Sequence, residues 1–172
     1  MILPALVVSV LLAADLSAPR PGIGDPAPAL VVDGLDGTPV PAAPDPRPGH
    51  VTIVDFFATW CGPCQKAHAD LGALRATFGD GLTLLLIDVA EEPPTVRRFL
   101  AGALPLPGAR VLLDRNGANA QRWGQDRFPT TFVIDSAGII RHINRGWGPG
   151  YRARLERWLR PLLAPPAANP AR

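Results

Sequence analysis

The sequence has little charge imbalance, little sulfur and almost no lysine. Its 172 residues carry a formal net charge of only +2, which is too small to indicate nucleic acid or an acidic membrane surface as a partner. The basic side chains are nearly all arginine, with Lys66 as the only lysine, and such arginines are typical of a solvated surface. Hydrophobic residues nevertheless make up 47% of the chain, which is enough for a buried core in one domain of ordinary size.

Only two cysteines are present, Cys61 and Cys64, and two residues separate them. A disulfide between them would close a very small loop and stabilise the fold little, because cross-link stabilisation grows with loop length. A zinc site is not indicated, since no further cysteine exists and the three histidines show no ligand spacing. The pair therefore predicts reversible thiol–disulfide chemistry, with no metal and no cofactor besides its own disulfide.

An uncharged apolar run occupies residues 2–14. It is shorter than the roughly 20 apolar residues that span a bilayer and is typical of the apolar part of a secretory signal. No basic residue precedes it and no A-x-A site follows it, so a first strand or helix of the fold is the alternative. We expect residues 1–18 to be a signal peptide or an N-terminal membrane anchor, which places the protein in the periplasm or on the outer face of the inner membrane.

The pattern of apolar residues predicts strands that alternate with helices. A strand and turn near residues 30–37 indicate a hairpin, and a helix should run from the cysteine pair to about Phe78. Further strands are predicted at 51–57, 82–90, 108–114, 130–135 and 139–146. Further helices are predicted at 93–101 and 150–163, with a short helix between them that ends at about residue 123. These segments predict one domain over residues 22–163, an α/β fold with a central mixed β-sheet flanked by helices on both faces, and a disordered tail at 164–172.

The position of Cys61 after the strand 51–57 predicts an ionised thiol. At the start of the next helix, its sulfur faces free backbone N–H groups and the positive end of the helix dipole, which both favour the thiolate. Cys64 lies one turn further on the same face, within reach for a disulfide after a small adjustment. Gly62 removes bulk beside the sulfur, and Pro63 suits the first turn because it needs no N–H bond there. We expect Cys61 to attack a partner disulfide and Cys64 to resolve the mixed disulfide.

Three neighbours of the pair have two interpretations each. Asp55 interrupts an apolar strand, so it is either a buried neutral acid that exchanges a proton with the second sulfur, or an aspartate paired with an arginine or turned to solvent. His68 lies one turn beyond Cys64 and could tune that sulfur, but the preferred interpretation is a solvent-facing helix histidine. Trp60 either forms a contact surface for a partner or packs against the domain. Lys66 is expected in solvent.

The stretch VDFFATWCGPC, followed far downstream by FPTTFVID, resembles the thioredoxin superfamily. Within it, the chain is similar to the TlpA/ResA-like thiol–disulfide oxidoreductases, which are exported and often tethered to a membrane. The similarity covers residues 24–163 and includes an extra N-terminal hairpin, the segment LLDRNGANAQRWG and the turn DSAG. It implies a thioredoxin-like fold with an extra N-terminal β-hairpin, in an enzyme that exchanges disulfides with protein substrates.

The resemblance also implies roles for individual residues. Cys61 would be the exposed nucleophile and Cys64 the resolving thiol, while Asp55 stands where thioredoxins keep a buried acid. Pro129 would be a cis-proline packed against the disulfide, and it would present the backbone of Phe128 to the substrate chain. The predicted catalytic residues are Cys61, Cys64 and Asp55, and the predicted substrate-binding residues are Trp60, Gly62, Pro63, Phe128 and Pro129.

Several residues around the sulfurs depart from the family pattern. Ala69 stands where a helix-kinking proline is usual, and Ala67 stands where many TlpA-like members carry glutamate. No lysine in LTLLLID corresponds to the one that accompanies the buried acid in thioredoxin. Phe128 is bulkier than the usual aliphatic residue before the cis-proline, and Arg127 replaces a frequent glycine. These departures affect the reduction potential and the choice of partner rather than the exchange chemistry.

Three classes of function are compatible with these features. The leading one is an extracytoplasmic oxidoreductase that acts as a monomeric reductant of protein disulfides, in cytochrome c maturation or for another exported protein, with an upstream membrane electron donor. The second is a peroxiredoxin-like thiol peroxidase, although Ala58 and Val54 stand where that class needs a threonine and a proline. The third is a non-enzymatic binding module that retains the fold.

Overall fold

The computed structural model describes residues 20–102 and 106–164. The predicted signal or anchor at 1–18 therefore lies outside the described residues, as does the predicted tail apart from Ala164. Within the two described ranges, no helix has both the length and the apolar character needed to cross a membrane.

The described chain alternates between strands and helices, close to the predicted boundaries. The strands are β1 (Leu30–Asp33), β2 (Pro39–Ala42), β3 (Val51–Phe57), β4 (Leu82–Val89), β5 (Ala109–Asp114), β6 (Thr130–Asp135) and β7 (Ile140–Arg145). The helices are α1 (Gly62–Phe78), α2 (Pro93–Gly102), α3 (Ala118–Arg122) and α4 (Tyr151–Leu163). A single 3₁₀ turn, Gly79–Gly81, separates α1 from β4.

All of these strands belong to one mixed sheet in the order β2-β1-β5-β4-β3-β6-β7. The central strands β3, β4 and β5 run parallel to one another, whereas β6 pairs antiparallel with β3 and the β1–β2 hairpin continues the other edge. Every residue of β3 is buried, because helices cover both faces of the sheet at this strand. This burial on two sides explains why its sequence is a nearly continuous apolar run.

Each face of the sheet has its own core. On one face, side chains of α1 and α4 such as Leu74 and Leu155 pack against the sheet, and Phe99 of α2 packs against the same cluster. On the other face, Trp123, which follows α3, packs with Val32 of the hairpin in a second cluster. The architecture confirms the predicted α/β class, with a mixed sheet, helices on both faces and an N-terminal hairpin.

The sheet topology places the cysteine pair beside the start of β6. The pair follows the carboxyl end of β3, and β6 is antiparallel to β3, with Thr130 paired to Phe56. The segment that enters β6, including Pro129, therefore lies at the same edge of the sheet as the N-terminus of α1. Two segments about 65 residues apart in the chain are brought together by this single strand pairing.

Candidate active site

Cys61 occupies the N-cap of α1. Its backbone is extended, with φ −83° and ψ 98°, and its Sγ accepts a hydrogen bond from the backbone N–H of Cys64 at 3.2 Å. Within α1, which is described along its whole length, the first turn holds no acidic residue, so no carboxylate offsets the positive end of the helix dipole. This geometry places the sulfur at the helix N-terminus as predicted, and it favours the Cys61 thiolate once the pair is reduced.

Cys61 and Cys64 form a disulfide, with their Cα atoms 5.3 Å apart. This separation lies within the ordinary range of about 4.4–6.8 Å, so the first turn of α1 accommodates the bond. Cys61 keeps 5% of its surface exposed, whereas Cys64 keeps none. A partner can therefore reach only the Cys61 sulfur, and this asymmetry suits one cysteine to attack and the other to resolve.

Gly62 and Pro63 form the exposed outer edge of the disulfide loop. A Cβ atom added at Gly62 would meet no other atom within 4 Å, so open space surrounds this position. Pro63 lies in the first positions of α1, where its missing N–H removes no helical hydrogen bond. Both residues leave the approach to Cys61 unobstructed.

The peptide bond between Phe128 and Pro129 is cis, as the resemblance implied. The Phe128 ring meets the Trp60 ring edge to face, with 5.6 Å between their centroids. Trp60 is 72% exposed, so most of its ring faces solvent while part of it packs against Phe128. Among the described residues, none forms a hydrogen bond with the backbone N–H or C=O of Phe128. Both groups are free to pair with an extended peptide chain.

Asp55 is fully buried on β3, directly opposite Thr131 of β6. The Thr131 hydroxyl donates a hydrogen bond to Asp55 Oδ1 at 2.7 Å and lies 2.8 Å from the Tyr151 hydroxyl. Since the single proton of Thr131 is directed at Asp55, Tyr151 donates in the second contact. Burial, together with the nearby Asp55 charge, raises the pKa of Tyr151 well above its ordinary value, so the phenol keeps this proton. Asp55 is thus neither paired with an arginine nor turned to solvent.

The solvent-facing interpretation of His68 is wrong. Its side chain is only 7% exposed, its ring lies edge-on to Phe57 at 4.7 Å between centroids, and its Nε2 lies 3.5 Å from Asp55 Oδ2. The helical spacing of residue 68 indicates burial, whereas the polar character of histidine favours exposure. Residue 68 follows Cys64 by four positions and precedes Leu71 by three, so it belongs to the buried face of α1.

β4 offers no polar side chain opposite Asp55, and His68 of α1 faces this buried acid instead. The residue of β4 opposite Asp55 is Leu86, which has no polar group to offer. Within the described residues, Asp55 Oδ2 and His68 Nε2 have no hydrogen-bond partner. They face each other at a distance slightly beyond that of a well-formed hydrogen bond, so each is the nearest available partner of the other.

A second buried acid, Asp88 on β4, was missed by the sequence reasoning, although it also interrupts a continuous apolar strand. Asp88 is fully buried, and no described residue donates a hydrogen bond to its carboxyl oxygens. Burial, reinforced by the neighbouring Glu91 carboxylate, raises the pKa of Asp88 to about 8. Glu91 in turn accepts hydrogen bonds from the Thr59 backbone N–H at 2.6 Å and the Thr59 hydroxyl at 2.7 Å. Glu91 therefore holds the loop that leads to Cys61.

The outer face of α1 is joined to the segment before α4. Lys66 is exposed, as expected, and its Nζ lies 5.0 Å from the centroid of the Trp147 ring. The indole Nε1 of Trp147 donates a hydrogen bond to Asp70 Oδ2 at 2.9 Å. These contacts fix the helix that carries both sulfurs against the rest of the domain.

Comparison with known proteins agrees with this chemistry. The Redoxin family model matches residues 23–157. The thiol:disulfide interchange protein HelX of Rhodobacter capsulatus is 31% identical over 141 residues, which cover 82% of this chain and 77% of HelX. The thiol-disulfide oxidoreductase ResA of Bacillus cereus is 28% identical over 143 residues, which cover 81% of this chain and 78% of ResA.

A crystal structure of a thiol:disulfide interchange protein DsbE from Chlorobium tepidum has a similar fold. It superposes with a TM-score of 0.75 at 26% sequence identity, and the match covers 84% of this chain and 100% of the DsbE chain. These similarities confirm both the thioredoxin-like fold and the resemblance to TlpA/ResA-like proteins.

Proposed function

The chain belongs to the Redoxin family and is a thiol–disulfide oxidoreductase, and we propose that it reduces protein disulfides outside the cytoplasm. The observation that supports this most is the placement of the disulfide, with Cys61 at the N-cap of α1 and Cys64 buried one turn behind it. A thiolate that can be reached, backed by a thiol that cannot, is suited to capture a substrate disulfide and then release it reduced.

The reducing direction requires two exchanges. The Cys61 thiolate attacks one sulfur of the substrate disulfide, and the other substrate sulfur leaves as a thiolate. The Cys64 thiol then loses its proton and attacks the Cys61 sulfur, which releases the second substrate sulfur as a thiolate. The substrate gains two electrons, and the two cysteines are oxidised to the disulfide seen here. A dithiol donor, which we propose to be a membrane protein, reduces the pair again.

Asp55 is the proposed base for the second exchange. It lies beneath the first turns of α1, because it faces His68, and His68 follows Cys64 by one helical turn. Its Oδ1 is occupied by the Thr131 hydroxyl, whereas its Oδ2 has no hydrogen-bond donor among the described residues. Oδ2 is therefore the oxygen available to take the Cys64 proton. A positioned carboxylate contributes about 10²- to 10⁴-fold to such a step.

The proposed docking surface for the substrate is formed by Trp60, which precedes Cys61 in the chain, and Phe128, whose ring contacts that of Trp60. The exposed indole offers a large apolar contact. The N–H and C=O of Phe128, which pair with none of residues 20–102 and 106–164, offer two backbone hydrogen bonds to a chain bound in extended form. Backbone pairing of this kind depends little on the substrate's side chains, so one surface can accept several proteins.

The compartment and the substrate are proposed from the sequence and the resemblance. The apolar run at residues 2–14 favours export, and the TlpA/ResA-like pattern favours an exported client such as an apocytochrome c. A c-type haem attachment site has the form Cys-x-x-Cys-His, and its two thiols must be reduced before haem attachment. We propose that the oxidised form of such a segment is a substrate.

The direction of exchange is tested by the reduction potential. We expect a potential near that of thioredoxin, about −270 mV, and a value near that of DsbA, about −120 mV, would reverse the assignment. The substrate is tested with the Cys64→Ser variant, which should trap a mixed disulfide with an oxidised Cys-x-x-Cys-His peptide. The Cys61→Ser variant is the matched control and should trap nothing. Failure of the Cys64→Ser variant to trap the Cys-x-x-Cys-His peptide would contradict the proposed substrate class.

A further inference from the structure

The proposed role of Asp55 as a base raises the question of where the proton from Cys64 goes. While Asp55 holds the Cys64 proton, it can return that proton to Cys64 and reverse the transfer, so onward movement of the proton favours the second exchange. The carboxyl is fully buried, so water does not contact it directly. Its neighbours Thr131 and Tyr151 provide no route to solvent for this proton, because both side chains are buried and Tyr151 keeps its own proton. The remaining polar neighbour is His68.

His68 lies between Asp55 and an open groove. On one side its Nε2 faces Asp55 Oδ2 at 3.5 Å, and on the other side the residue lines a groove of about 930 Å³ between α1, α2 and β5. Ala69 and Gly72 also line this groove, and Leu106 packs so closely on Gly72 that an added Cβ atom there would lie 2.8 Å from its side chain. A volume of this size holds many water molecules, each of which occupies about 30 Å³ in the liquid.

We propose that His68 is a positioning residue that takes the proton from Asp55 and passes it to water in this groove. An imidazole has two ring nitrogens and can accept a proton at one while it releases a proton from the other. The edge-on contact with Phe57 holds the ring between the carboxyl and the groove. This inference rests on the proposed role of Asp55 as the base for Cys64.

The proton balance follows the second exchange. The Cys64 thiol gives its proton to Asp55 Oδ2, and the resulting thiolate forms the bond to the Cys61 sulfur while the substrate sulfur leaves with its electron pair. The proton on Oδ2 then moves to Nε2 of His68, and the ring releases a proton to groove water. Asp55 returns to its starting state, whereas His68 ends with its proton on Nε2, so proton exchange with groove water must restore the Nδ1–H tautomer before the next cycle. No electron passes through either residue.

Few other charged groups compete for this proton. From α2, Arg98 lines the same groove and is permanently charged. From β4, Asp88 lies on the same face of the sheet as Asp55, since Asp88 pairs with Phe57 in the parallel register. From α4, the neutral Tyr151 contacts Thr131 rather than His68.

The test follows the two exchanges separately in the full-length reduced protein. The probe is 5,5′-dithiobis(2-nitrobenzoic acid), an aromatic disulfide whose first thiolate is released by Cys61 and whose second is released by Cys64. In the His68→Gln variant we expect the first release to stay within about twofold of the wild-type rate and the second to slow by at least about tenfold at neutral pH. A second release at the wild-type rate would overturn the proposal.

Added imidazole distinguishes proton transfer from mere packing. In the His68→Ala variant, the vacated space adjoins the groove, so free imidazole should restore the second release in proportion to its unprotonated concentration. The Leu74→Ala variant is the matched control, because it opens space in the core on the same helix without contacting Asp55, and it should show no response. A slow His68→Ala variant that imidazole leaves slow would also overturn the proposal.

The Asp55→Asn variant separates this inference from its premise. It should slow the second release, and imidazole should not restore it. If Asp55→Asn releases the second thiolate at the wild-type rate, the role of Asp55 fails. If Asp55→Asn is slow while both His68 variants are normal, only the relay through His68 fails.

Discussion

Adjacent strands of the sheet each bury one aspartate on the same face, with opposite surroundings. Asp55 on β3 receives a hydrogen bond from Thr131 and faces the imidazole of His68. The carboxyl of Asp88 on β4 has no hydrogen bond of ordinary geometry among the described residues, and, in addition to burial, its neighbour Glu91 raises the pKa of Asp88 through its carboxylate while its backbone N–H lowers it. Burial beside a second carboxylate favours the protonated form of Asp88. Burial alone therefore does not decide what a buried acid does.

The largest expected difference between the two acids is in catalysis. Asp55→Asn should slow the second exchange by about 10²- to 10³-fold, because the amide cannot accept the Cys64 proton. Asp88→Asn should leave it within about twofold, since no step requires this carboxyl to ionise. Release of the second thiolate from the aromatic disulfide measures both variants. Similar slowing in the two variants would break the comparison.

Asp88 should instead govern how stability depends on pH. Its pKa is raised from an ordinary 3.8 to about 8 in the folded protein, so between these values the folded state binds more protons than the unfolded state. Its contribution to stability is therefore complete below about pH 4 and is lost as pH rises through about 8. Each pKa unit corresponds to about 1.4 kcal/mol, so the shift of about four units sets an upper limit of about 6 kcal/mol on what the wild type loses relative to Asp88→Asn. Urea unfolding across this range measures it, and parallel pH curves would contradict the assignment.

Removal of the donor to Asp55 should have a smaller effect. Thr131→Val leaves Asp55 Oδ1 and the Tyr151 hydroxyl without their shared partner, and we expect a loss of about 1–3 kcal/mol in the free energy of unfolding. Thr130→Val is the matched control, because the Thr130 hydroxyl donates to the Arg127 carbonyl and not to Asp55. Only Thr131→Val should also alter the pH profile of the second exchange. An identical change in the two profiles would count against the Thr131–Asp55 contact.

The smallest expected effect comes from the acid beside Asp88. Glu91→Gln removes the negative charge that reinforces the raised pKa of Asp88, while burial remains. The pH at which the loss of stability is complete should therefore move down, because the pKa of Asp88 falls. Glu92→Gln, at the exposed neighbouring position, should cause no such shift. Together, the Glu91→Gln and Glu92→Gln variants separate the effect of burial on the pKa of Asp88 from that of the Glu91 carboxylate.

The local pattern of the sequence predicted the strands, the helices and the start of α1 at the cysteine pair. It also identified Asp55, because an acid within an apolar strand stands out. The same signal was present at Asp88 and was not used. His68 was assigned to solvent, because a polar residue on a helix is usually exposed, although its spacing from Cys64 and Leu71 placed it on the buried face.

By itself, the sequence determined which residues form each element and that both sulfurs lie at the first turn of a helix, since periodicity and capping act over a few neighbouring positions. Only the tertiary structure decided what surrounds each buried acid. Thr131, Tyr151 and His68 come from three different elements, and strand register and helix packing bring them to one carboxyl. Contacts of this kind depend on angles and distances between elements that no local pattern encodes.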